Sequence, residues 1–139
     1  MKEFALEFKG YWRQDHKNRI PRESGIYCVY ACRCDSEKRT VSLRKLLFIG
    51  GSGDMRTHLE NNTQEQEWKK HLEQGEELCY SAAKLGSGER FRAEAAMIYV
   101  HKPPCNAEHT DRFLFAKTRI TTGGSNRFLE PDIIVQTKW

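Results

Sequence analysis

The sequence predicts an α+β protein, in which a small antiparallel β-sheet is flanked by helices and followed by a C-terminal β extension. Three observations carry that expectation. Runs rich in β-branched and aromatic residues alternate with glycine and proline breaks. A polar connection, Asp35-Ser36-Glu37-Lys38-Arg39, joins the first two runs as a hairpin. One long apolar stretch near Glu89 to His101 has helical character and halts at Pro103-Pro104. At 139 residues the chain has room for one domain and one core.

The elements follow in order. The first twenty-four residues mix aromatics (Phe4, Phe8, Tyr11, Trp12) with bases and read as an N-terminal arm, ended by Pro21 and Ser24-Gly25. Gly25 to Cys32 is a strand, and Leu43 to Ile49 is its partner, stopped by Gly50-Gly51-Ser52-Gly53. Asp54 is the expected N-cap of a short helix through Leu59. Thr63 and Gln66 fit a capping box for a second helix carrying Trp68 and Leu72, with Gly75 at its end. Glu77 to Leu85 is a third strand. Phe113 to Thr121 and Asp132 to Thr137 are two more, separated by Gly123-Gly124.

An apolar fraction of 38% and a charged fraction of 30% suit a soluble globular chain rather than a disordered one. The 23 lysines and arginines exceed the 19 acidic residues, for a net charge of +4, a balance compatible with a phosphate backbone as partner. No apolar stretch reaches membrane-spanning length, and the opening residues lack the apolar centre of a signal peptide. The expectation is a cytoplasmic protein without membrane contact. Its five cysteines include no CxxC pair, and Cys28, Cys32 and Cys34 share one face of the first strand with Tyr30. A bridge between same-strand cysteines two apart is geometrically poor, so they are expected to be reduced thiols. A zinc site built on Cys28, Cys32 and Cys34 is the alternative, and it lacks a fourth ligand and the usual spacing.

Pattern alone singles out Glu94. At about 100° per residue, Phe91, Met97 and Ile98 share its side of the helix, and a carboxylate on such a stripe needs a cation, a metal or good donors. A glutamate at the rim of the buried face, with its head in water, is the alternative. Gly25-Ile26-Tyr27, then Phe48-Ile49-Gly50, then helical Glu94, then Asn106 follow the order of the GIY-YIG nuclease family, which this chain resembles from Gly25 to Asn106. The second signature stands here as FIG. The resemblance makes residues 25–106 the core of a single 1–139 domain, with an arm at 1–24 and an extension at 107–139.

The resemblance implies divalent-metal-dependent DNA cleavage by phosphodiester hydrolysis. Glu94 matches the glutamate that holds Mg²⁺ (or Mn²⁺), here expected to bind weakly. Tyr27 matches the tyrosine that positions or deprotonates the attacking water, and Asn106 matches the amide that braces the site. Three positions depart from the pattern. Phe48 replaces the second-signature tyrosine and offers no hydrogen bond. His58 stands where the family has an arginine, for which a protonated imidazole is a partial replacement, and Asn62 stands where a histidine often follows. Arg56 is a nearby cation but leaves the helix about 200° away from His58. Lys69, Lys70, Arg90, Arg92 and Lys102 are the expected nucleic-acid contacts, Arg90 one turn before Glu94. The alternative is a catalytically degenerate domain that binds DNA or a protein partner.

Overall fold

The computed structural model describes residues 1–137. Strand β2, Gly25–Asp35, is buried continuously from Gly25 to Cys32, so both of its faces need cover. Alternation divides it: Ile26, Cys28, Tyr30 and Cys32 join one apolar cluster, while Tyr27, Val29 and Ala31 join another. Helix α3, Ser87–His101, covers the first face through Ala93, Ala96, Met97 and Ile98. The second face is covered by a 3-10 segment, Gln14–Arg19, and by helices α1, Met55–Glu60, and α2, Glu65–Lys69.

The polar hairpin forms as expected, with β2 antiparallel to β3, Thr40–Ser52, and Tyr27 opposite Gly50. On its other side β2 pairs antiparallel with β4, Glu77–Lys84. The N-terminal arm is the main departure from the sequence reading, because Lys2–Arg13 is a full strand, β1. Phe4, Leu6 and Phe8 are buried, while Glu3, Ala5 and Glu7 face solvent. Burying three such side chains stabilises the fold by about 1.5–3 kcal/mol each, far more than a loose arm would keep. Strand β1 lies antiparallel to β4 and parallel to β5, Thr118–Gly124, which pairs in turn with β6, Asp132–Val135. The sheet is therefore mixed, in the order β3-β2-β4-β1-β5-β6, and not purely antiparallel.

Smaller departures have local causes. Asp54 caps α1 as expected, its Oδ1 accepting from the Thr57 amide at 3.2 Å. The Thr63/Gln66 capping box does not form. Instead Asn62 Oδ1 accepts from the Gln64 amide at 2.7 Å, and α2 stops at Lys69. Strand β5 begins at Thr118 rather than Phe113, because Arg92 Nη2 donates to the Ala116 and Lys117 carbonyls, both at 3.1 Å. Phe113 is buried, in a loop beside Tyr99 and Phe115. Cys32 is not a free thiol: it forms a disulfide with Cys79 across β2 and β4, while Cys28, Cys34 and Cys105 are free. Among the described residues no helix is long and apolar enough to cross a membrane.

Candidate functional site

Strand β3 is an edge strand, and its last turn of pleat carries no side chains at Gly50 and Gly51. Those two gaps organise the site. A Cβ on Gly50 would lie 2.5 Å from Tyr27 Cζ and Oη, so the phenol lies over β3 in the space that glycine leaves. A Cβ on Gly51 would lie 2.8 Å from Glu94 Oε2 and 3.2 Å from Arg90 Cγ and Cδ. Successive residues of a strand face opposite ways, so Tyr27 arrives from the α1 side of the sheet and Glu94 from the α3 side. The two glycines let both reach the same strand end. The backbone at that point is clamped by Asn106, whose Oδ1 accepts from Ile49 N at 3.0 Å and whose Nδ2 donates to Ile49 O at 2.8 Å.

Two of the expected residues flank the phenol. Phe48 lies 6.1 Å from the Tyr27 ring, centroid to centroid, and packs on Trp68 of α2 at 5.1 Å. His58 of α1 lies 5.7 Å from Tyr27, and its Nε2 meets Asn62 Nδ2 at 3.2 Å. Arg56, two residues earlier, points elsewhere: its Nε donates to the Ile20 carbonyl at 2.6 Å, fastening the 3-10 segment to α1. It is not part of the constellation.

The basic residues separate just as clearly. Arg90 runs along Gly51 and places Nη1 3.5 Å from Ser24 Oγ, while its buried Nε has no hydrogen-bond partner among the described residues. Arg92 leaves the helix on another side and donates to Thr118 Oγ1 at 2.8 Å as well as to the two carbonyls, so its role here is to anchor β5. Lys102 donates to the Thr110 carbonyl and lies over the Tyr99 ring at 4.2 Å. On α2, Lys69 pairs with Glu65 and Lys70 with Glu67. Of the five expected nucleic-acid contacts, Arg90 alone stands beside Glu94.

Electrostatics tie the group together. Burial pushes the Glu94 carboxyl above the ordinary carboxylate range, and the neighbouring His109 and Arg90 pull it partly back, as does a hydrogen bond from the Gly51 backbone. Burial, then the nearby Glu94 charge, holds the Tyr27 phenol well above its usual value. Burial, reinforced by Arg90, pushes the His58 imidazole below its usual value. A lowered imidazole carries its charge only at more acidic pH than a free histidine, which makes His58 a poorer counterpart of a permanently charged arginine. Glu108 and His109, just beyond Asn106, also act on Glu94; the sequence reading passed over them because neither lies in a helix or strand. Among the described residues Glu94 belongs to no cluster of three metal-ligating side chains.

Compared with protein-family models, curated proteins and solved structures, the chain matches none.

Proposed function

We propose that this protein is a divalent-metal-dependent DNA endonuclease of the GIY-YIG type, in which Arg90 replaces the arginine missing from α1. The observation that carries the reading is the convergence of Tyr27, His58, Arg90 and Glu94 on the Gly50-Gly51 end of β3. The order of the motifs supports the same reading, with Asn106 bracing the second of them.

Glu94 suits a weakly held Mg²⁺ or Mn²⁺. One carboxylate with water ligands binds such an ion poorly until a substrate phosphate completes the shell. A buried carboxyl that is raised without a metal is also one that a cation would favour in its ionised form. When bound, the ion would neutralise charge developing on the phosphate and steady the leaving oxygen. Arg90 adds a fixed positive charge at the same place, next to Glu94 and the Gly51 backbone. The raised Tyr27 phenol keeps its proton at neutral pH, so it orients the attacking water by hydrogen bonding. His58, beside it, accepts from Asn62 Nδ2 through Nε2, which fixes its ring against the phenol. Phe48 contributes shape and exclusion of water but no hydrogen bond.

The test is incubation of the purified protein with supercoiled plasmid and branched DNA in Mg²⁺ or Mn²⁺, beside Glu94→Ala and Arg90→Ala variants. Cleavage that both substitutions abolish supports the reading. DNA binding without cleavage, unaffected by Glu94→Ala, would favour the degenerate binding module instead.

A further inference from the structure

At the other end of β2 the structure gathers three sulfurs that the proposed nuclease chemistry does not use. Cys32 and Cys34 of β2 and Cys79 of β4 place their Sγ atoms all within 4.8 Å of one another, with Cys32 and Cys34 at 4.0 Å. Cys28, on the same face of β2, is not part of this group. We propose that the reduced forms of Cys32, Cys34 and Cys79 make a three-thiolate site for zinc or a similar soft divalent cation.

Geometry and access support this. Tetrahedral Zn²⁺ with Zn–S bonds of about 2.3 Å sets its sulfurs about 3.8 Å apart, close to the Cys32–Cys34 spacing. Cys32 and Cys79 are fully buried, whereas Cys34 is only partly buried and lines a surface depression of about 710 Å³ with Arg33, Asp35 and Ser42. An ion can therefore reach the buried pair past Cys34. The Glu77 carboxylate lies beside Cys34 and is gripped by Arg13, whose Nε and Nη2 donate to it at 3.1 and 2.9 Å. Glu77 lies outside the three-sulfur group and stays with Arg13, so water completes the four ligands, and the Arg13 charge offsets part of the negative charge of three thiolates.

Cys32 and Cys79 are joined as a disulfide, so metal and disulfide exclude each other on the same sulfurs. A thiol or phosphine reductant delivers two electrons and, with two protons, opens the Sγ–Sγ bond into two thiols. Zn²⁺ then displaces the protons of all three thiols to buffer. Either state ties β2 to β4, the disulfide in oxidising surroundings and the metal in reducing ones.

The experiment titrates full-length protein, held reduced with a phosphine under nitrogen, with Co²⁺ and then Zn²⁺. One equivalent of cobalt is expected, with near-ultraviolet thiolate-to-cobalt absorption that zinc abolishes. Cys34→Ser should weaken binding at least about 100-fold, and Cys105→Ser should leave it unchanged. Because a substitution can disturb the fold, unmodified protein is also alkylated with and without zinc and mapped by mass spectrometry. Zinc should protect Cys32, Cys34 and Cys79 together. Reduced protein that keeps its circular dichroism yet binds no cobalt, or zinc that leaves Cys34 as reactive as before, would overturn the proposal.

Discussion

Arg90 and Arg92 lie two residues apart on α3 and are treated in opposite ways. Arg92 donates to Thr118 Oγ1, Ala116 O and Lys117 O, and so fixes where β5 begins. Arg90 has a long contact to Ser24, lies over the Phe91 ring at 4.7 Å and, among the described residues, has a buried Nε without a hydrogen-bond partner, beside a carboxylate that burial keeps raised. A fold gains nothing from leaving a buried donor unpaired, at roughly 1–3 kcal/mol per group. The difference separates an arginine that holds the structure from one held by it.

The comparison can be broken at several points. The largest effect is expected at Glu94: under the proposed mechanism, Glu94→Ala should lower DNA cleavage by about 10³-fold or more, read as initial rates on plasmid at saturating Mg²⁺. Arg90→Ala should follow at about 10²–10³-fold, with a urea midpoint that does not fall, since the variant removes an unpaired buried donor. Arg92→Ala should do the reverse, destabilising the protein by about 2 kcal/mol in urea while leaving the rate per folded molecule near wild type. If both arginines behaved alike, the division would fail. Phe48→Tyr returns a hydroxyl beside Tyr27 and should raise cleavage about tenfold, a barrier change near 1.4 kcal/mol; an unchanged rate would mean that this position has only a packing role.

The smallest effect concerns stability and pH. The Glu94 carboxyl is raised in the folded state, so the folded protein binds this proton more tightly than the unfolded chain does. Stability should therefore fall as pH rises through the interval between the ordinary carboxylate value and the raised one, and level off above it. Glu94→Gln should flatten that part of the profile and be no less stable than wild type at neutral pH. Urea midpoints measured between about pH 4 and pH 8 check this, and an unchanged slope in the variant would locate the pH dependence elsewhere.

Much of this arrangement could be read before the structure. The hairpin of β2 and β3, the Asp54 cap and the apolar helix bearing Glu94 follow from local pattern, which acts over a few residues. Strand β1 was legible in part. Phe4, Leu6 and Phe8 alternate with charged or small residues, but that signal covers only one face and is short. Its parallel pairing with β5 was not legible, because it joins residues more than a hundred apart. The Cys32–Cys79 bridge was missed for a similar reason: it depends on the register of β2 against β4, whereas spacing along β2 draws attention to Cys28. Within the site, Tyr27, Glu94 and Asn106 stand in motif order. Arg90 was visible only as a residue one turn from Glu94, and the unpaired state of its Nε among the described residues is a property of three-dimensional packing.

The place of β1 between β4 and β5 also bears on how the chain reaches this state. Strand β1 is synthesised before both of its partners and waits for residues 79–82 on one edge and 118–124 on the other, so its pairings are of high contact order and close late. Until then its row of Phe4, Leu6 and Phe8 is exposed on a nascent chain, where such strands are prone to find the wrong neighbour. A fragment limited to residues 25–106 would contain Tyr27, Arg90, Glu94 and Asn106 but leave the β1-facing edge of β4 open, and open edges of that kind recruit strands from other molecules.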